Sequence, residues 1–212
     1  MTNQQSAIPP FSQKRWNAYY NTVANRPPRK TILTALAAFE KPGVAIDLGC
    51  GNGRDTVEIL RQNWSVLAID REPEAIRRLR DRVIAQLLAR PLPNTDQLST
   101  QIASFEELKL PQPVDLINAS FSLPFCASAA FSRVWQQIFE ALRSGGRFCG
   151  HLFGDRDSWC DRQLINCFTR QQVENLLKPY TLELFEEEEH PGQTPLGEER
   201  YWHIFHIVAQ KP

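Results

Sequence analysis

The run Val44-Ala45-Ile46-Asp47-Leu48-Gly49-Cys50-Gly51-Asn52-Gly53-Arg54-Asp55-Thr56 constrains the chain more than any other. Its apolar residues, broken once by Asp47, read as the end of a buried parallel strand. Gly49, Gly51 and Gly53 then make a turn, and Asp55 or Thr56 is placed to cap a helix carrying Val57, Ile59 and Leu60. Glycines let the backbone approach a ligand and a helix start offers free N–H groups, so strand, turn and helix together have the build of a nucleotide site. Ser65 to Ile69 is the next strand, and Asp70 stands at its carboxyl end, placed to hold two ribose hydroxyls.

The glycine spacing narrows the ligand. A G-x-G-x-x-G dinucleotide turn needs a small residue where Arg54 stands, and no G-x-x-x-x-G-K-[ST] phosphate loop occurs. The pattern hydrophobic-Asp-hydrophobic-Gly-x-Gly-x-Gly instead resembles the first motif of class I S-adenosylmethionine-dependent methyltransferases. The resemblance covers nearly the whole chain from Val44 onward. It implies an α/β, Rossmann-like, doubly wound three-layer αβα fold whose seven-stranded, mostly parallel sheet has an antiparallel last strand. It also implies S-adenosylmethionine as cofactor and S-adenosylhomocysteine as product. The cofactor would lie along Asp47, Gly49, Cys50, Gly51, Asn52 and Gly53, with its ribose on Asp70 beside Arg71. In this family an acid or small polar residue after strand three bonds the adenine amine; Ser104 takes that place, with Phe105 against the ring or in the core. Asn118, Ala119 and Ser120, at the tip of strand four, would lie near the cofactor.

Size and charge limit the acceptor. The 212 residues suit one domain, and 24 basic residues against 24 acidic give no net charge, where a chain gripping nucleic-acid phosphates would show a basic excess. A small-molecule substrate is expected, with no nucleic acid and no membrane as partner, in a monomer or dimer. Asn118 to Phe125 lacks the prolines and tyrosine of the N-P-P-Y motif of amino-group methyltransferases, so no nucleic-acid reading is drawn from it. Cys50, Cys126, Cys149, Cys160 and Cys167 are an odd number without C-x-x-C spacing, read as reduced thiols of a cytoplasmic protein. Met1 to Phe11 is polar and proline-bearing, without a signal peptide or membrane span, and is expected to be mobile.

Residues 1–42 are expected to form an N-terminal helical segment ahead of a cofactor-binding domain at 43–212. Trp16, Tyr19, Tyr20 and Arg26 would either close over a substrate or pack at the sheet edge, while 31–39 is a scaffold helix. Four arginines at 77, 78, 80 and 82 form a solvated helix face, and residues 90–94 a loop. Phe121 and Phe153, at the tips of strands four and five, would face the substrate. No catalytic base stands out. Tyr19, His151, Asp155 and Asp157 are candidates, and His151, on a central strand, reads as a neutral histidine bonded to a backbone group ahead of a base. Glu186 to Glu189, near His190, form a solvated end of strand six (181–185) and no metal site, and Tyr201 to Ala209 is a last strand covered on both faces. Within the class, the turn G-x-G-x-G-R-D-T and the aromatic N-terminal segment are most similar to tellurite-resistance-type and thiopurine-type enzymes, which act on soft sulfur, selenium or tellurium nucleophiles. The alternatives are a protein or nucleic-acid methyltransferase and a non-catalytic cofactor-binding protein.

Overall fold

A computed structural model describes residues 12–89, 95–162 and 165–212. The expectations for residues 1–11 and for the loop at 90–94 lie outside the described residues. Strands of five or six residues build the first half, the first two each followed by an α-helix: β1 (Val44–Leu48), α3 (Thr56–Arg61), β2 (Ser65–Asp70), α4 (Pro73–Ala89), β3 (Leu98–Ile102) and β4 (Val114–Ala119). Helices α1 (Gln13–Thr22) and α2 (Lys30–Ala37) precede them. After α5 (Ser128–Ala141) come β5 (Leu142–Gly154), β6 (Cys167–Phe168), α6 (Arg170–Leu177), β7 (Thr181–Gln193) and β8 (Glu199–Gln210).

The sheet runs β3-β2-β1-β4-β5-β8-β7, with every neighbour parallel except β8, which is antiparallel to both β5 and β7. The expected seven strands are joined by an eighth, the two-residue β6 paired to the end of β5. One face buries Ile46, Ile117, Phe148 and Phe205 under α5 and α6. The other buries Ala45, Val66, Leu116 and Val208 under α2, α3 and α4. Both faces covered is what makes these strands near-continuous apolar runs.

Three expectations need correction here. Strand six does not stop at Phe185: β7 continues through the glutamates to Gln193, because each residue finds a partner across the hairpin, from Glu186 opposite His206 to Gln193 opposite Glu199. The cysteines are not all reduced, since Cys160 and Cys167 are disulfide-bonded. Pairing of β6 beside the end of β5 brings the two together, a proximity that no local spacing announces. Asp55 precedes α3 but its carboxylate caps nothing, because Arg29 claims it. The capping box Thr169–Gln172 does open α6. No helix among the described residues is long and apolar enough to cross a membrane.

Candidate active site

Four strands point their carboxyl ends into one cavity of about 450 Å³, the usual place for a ligand in a doubly wound sheet. At its base, the turn after β1 runs through Gly49 and Gly53, whose φ of +67° and +78° favours glycine. A Cβ on Gly53 would stand 2.2 Å from Leu79 Cδ1 of α4, so this glycine lets helix and turn pack together; Gly53 is not on the wall. Gly49, Cys50, Gly51 and Asn52 are on it. Asp70 closes the turn from below: it accepts the backbone N–H of Gly51 at 2.9 Å on one oxygen and that of Glu72 at 2.9 Å on the other. These bonds fix a carboxylate at the cavity edge with lone pairs left over, the chemistry that two vicinal hydroxyls require.

Behind the turn lies a buried polar network. Asp47 accepts Thr56 Oγ1 at 2.5 Å and Asn118 Nδ2 at 2.8 Å. Asn118 Oδ1 accepts Ser120 Oγ at 2.9 Å. Burial, with Asp55 close by, pushes the Asp47 carboxyl up to about 7. Burial also works against the charge of Asp55, but Arg29 outweighs it and holds that carboxyl below the usual range. Asp47 and Ser120 reach the wall, whereas Asn118 and Ala119 lie beneath it, where Asn118 holds both neighbours in place. Ser104 is off the wall as well, its hydroxyl 3.0 Å from Glu107 in a capping box; Ala103, Phe105 and Glu106 take the wall there, and Arg71 joins them.

Helix α1 roofs the cavity. Trp16, Tyr19 and Tyr20 line it, joined by Arg26 from the following segment. The roof is tied down at three places: Asn52 donates to the Tyr20 carbonyl at 3.2 Å, Arg78 to Asn21 at 2.6 Å, and Arg15 donates twice to Glu198 in the β7–β8 turn. Trp16 also meets Phe125 edge-on, with ring centroids 5.5 Å apart.

The far wall comes from β5, β7, β8 and the loop after β5. Phe121, in left-handed backbone conformation at φ +55°, stacks on His151 at 4.0 Å and lies under the Arg29 guanidinium. A bulky residue held there stores strain, as functional loops do. Phe153 is on the wall; His151 is beneath Phe121 and off it, its imidazole kept neutral by burial. Asp155 is off the wall on the opposite side, near His203. Asp157 is also off it, tied to Arg200 at 2.9 Å with both side chains at most 2% exposed. Arg200 is flanked by the rings of Trp159, Trp202 and Phe153 at 3.9, 3.8 and 4.3 Å. An aspartate held this way positions an arginine and is not available as a base.

The sequence reading missed Arg15, Arg29, Glu188, His190, Trp159, Arg200, Trp202 and His206, all on the wall. The signal was there in β8: residues 200, 202, 204 and 206 alternate onto the cavity face, while 203, 205 and 207 turn away. On that opposite face Glu187, Glu189 and His203 converge closely enough to hold an ion. Arg156 already donates to both glutamates, at 3.0 and 2.6 Å, and Arg170 to Glu187 at 2.6 Å, so guanidinium groups fill the place of a metal.

The methyltransferase-domain family matches residues 45–146. No curated protein matches the chain. Among solved structures, TehB from Haemophilus influenzae is similar with a TM-score of 0.72 and 14% identity over 92% of this chain, which spans 66% of TehB's length. The Burkholderia thailandensis 1,6-didemethyltoxoflavin-N1-methyltransferase, solved with 1,6-didemethyltoxoflavin and S-adenosylhomocysteine, is similar at a TM-score of 0.65 and 20% identity, over 96% of this chain and 92% of its own. A structure described for conversion of a disulfide bond into a thioacetal group during echinomycin biosynthesis gives 0.64 and 18%, over 94% and 93%. At such identities the likenesses speak for the fold. They agree with the methyltransferase-domain match over residues 45–146, the stretch that carries the glycine turn and Asp70.

Proposed function

We propose that the chain methylates a small molecule, with a soft sulfur, selenium or tellurium nucleophile as the acceptor class. The observation that carries this is the roof. Helix α1 places Trp16, Tyr19 and Tyr20 over the cavity and is tied down at three points, so an acceptor sits in a roofed cavity of about 450 Å³, in the range of small-molecule sites. A folded protein or duplex would need an open cleft. The aromatic rings of the far wall present polarisable, apolar surface, which suits a large soft atom better than a hydrated hydroxyl. The echinomycin-related structure is likewise described for sulfur chemistry.

The residues present fit the cofactor. Asp70 would take the ribose hydroxyls, Gly49 and Gly51 would let the methionine portion pass the turn, and Phe105 with Glu106 would flank the adenine. When bound, S-adenosylmethionine supplies a methyl group already activated on a sulfonium. The chain's work is then positioning: Phe121 and Phe153 set one side of the acceptor, the α1 aromatics cover it and exclude water, and in-line alignment lowers the barrier by several kcal/mol. The N-terminal segment thus acts as a lid. Incubating the chain with S-adenosylmethionine and a panel of thiols, selenite, tellurite, amines and phenols tests this. S-adenosylhomocysteine should form with thiols or chalcogen oxyanions; formation with peptides or nucleic acid alone would overturn it.

A further inference from the structure

The four histidines of the chain divide cleanly by what their ring nitrogens touch. His203 faces away from the cavity, receiving the Arg156 N–H on Nδ1 at 3.1 Å and pairing with Glu187 through Nε2 at 2.8 Å. His151 is buried beneath the Phe121 ring, off the wall, and burial opposes its protonation. His190 and His206 are on the wall, bridged by one carboxylate: Glu188 Oε1 lies 2.7 Å from His190 Nε2, and Oε2 lies 2.7 Å from His206 Nε2.

The two differ in one respect that decides their chemistry. His190 has acceptors at both nitrogens, since its Nδ1 lies 2.9 Å from the Pro191 carbonyl, so the ring is held as a double donor and has no lone pair to offer. The carbonyl and Glu188 raise its titration accordingly. His206 has Glu188 on Nε2 only. With Nε2–H given to the carboxylate, Nδ1 carries the lone pair, and it has no partner among the described residues. A carboxylate fixing one nitrogen and leaving the other basic is how a histidine base is oriented.

We propose that His206, oriented by Glu188, takes the proton of the methyl acceptor, an inference that rests on the methyltransferase reading of the cavity. The acceptor's lone pair forms the bond to the methyl carbon, and that carbon's bond to sulfur breaks with its electron pair staying on sulfur. The acceptor's proton passes to Nδ1 of His206, giving an imidazolium held against Glu188. Glu188 is a positioning residue, and its half-exposed side gives the proton a way out to water. The groups facing His206 are Glu186 and Glu188 of β7, with His190 beyond, and neutral His151 of β5, whose ring centroid is 5.0 Å away. From α2, Lys30 pairs with Glu186 at 2.5 Å, and Arg29 and Arg54 lie near enough to act on His151. The near charges are thus two carboxylates, one of them shared with His190 and the other with Lys30.

The test uses the full chain with S-adenosylhomocysteine bound and ¹⁵N-labelled histidine, the His206 signals being assigned through His206→Gln. The Nε2 of His206 should carry a proton, and Glu188→Gln should weaken that preference and let the Nδ1–H tautomer appear, since the carboxylate is the acceptor that holds the proton on Nε2. A proton on Nδ1 in the wild-type chain, or a tautomer that ignores Glu188→Gln, overturns the proposal whatever the acceptor. With thiophenol as acceptor, His206→Gln should lower kcat about 100-fold where the thiol is neutral, and less as pH rises and the thiol ionises unaided. Its S-adenosylhomocysteine affinity should stay within about twofold, as expected for a residue acting on the acceptor. Equal rates at every pH would overturn the base. Failure of the wild-type chain to bind S-adenosylhomocysteine would strike the methyltransferase reading instead, so the two failures are distinguishable.

Discussion

Arg29 gives both its backbone N–H, at 3.1 Å, and its guanidinium, at 2.8 Å, to the two oxygens of Asp55, clamping the segment before α2 onto the end of the glycine turn. The carboxylate is buried to within 2% of complete, and the Arg29 side chain is 14% exposed. Removing one partner of such a pair leaves an uncompensated charge. Arg29→Met should therefore cost about 3–5 kcal/mol in urea unfolding. The double variant Arg29→Met/Asp55→Leu should recover most of that loss. A single variant within about 1 kcal/mol of wild type, the size of an exposed ion pair, would show the clamp to be surface decoration.

Two glycines with the same backbone angle separate strain from packing. Gly53 and Gly145 both sit at φ +78°, but a Cβ at Gly53 meets Leu79 Cδ1 at 2.2 Å whereas one at Gly145 meets nothing within 4 Å. Gly145→Ala should cost about 1 kcal/mol, the left-handed penalty alone. Gly53→Ala should cost about 3 kcal/mol, because overpacking against α4 is added. Equal costs in denaturant titrations would mean that α4 yields freely.

Opposite pH slopes are expected from two groups behind the cavity. Burial holds His151 neutral in the folded chain, while the unfolded chain takes up a proton below about 6.5, so His151 costs stability as pH falls through that value. Asp47 has the reverse sign. Its carboxyl, pushed up to about 7 by burial and by Asp55, keeps a proton that the unfolded chain releases near 3.8, so stability falls as pH rises from about 4 to 7. Melting temperatures between pH 4 and 8 should lose the acid-side fall in His151→Gln and the rise-linked fall in Asp47→Asn. Curves parallel to wild type would contradict both assignments.

The fold was legible where the chain announces itself locally. Val44–Leu48, the glycine turn and the strand ending in Asp70 are apolar runs punctuated by residues with few other uses, and each lies where it was expected. The far wall was not legible, because its residues earn their places through partners distant in the chain. Glu186 to Glu189 read as solvated; in the hairpin they alternate, Glu188 toward the cavity with His206 and Glu187 away with Arg156 and Arg170. Asn118 looked like a ligand contact and instead braces Asp47, 71 positions earlier. Asp157 looked like a base and instead binds Arg200, 43 positions later.

The cysteines give a count. Cys160 and Cys167 are joined and Cys50, Cys126 and Cys149 are free and buried. Denatured without reductant, the chain should show three reactive thiols, and five after reduction. Five in both cases would remove the bridge.

The account turns on Asp70 at the end of β2, its oxygens held by Gly51 and Glu72 at the cavity edge. Calorimetric titration of the chain with S-adenosylhomocysteine tests it most directly. Saturable binding at one site, weakened about 100-fold in Asp70→Ala while the melting curve stays cooperative, is the result predicted, the size expected for losing hydrogen bonds to a buried carboxylate. No heat of binding in the wild-type chain, or equal affinity in Asp70→Ala, would contradict it.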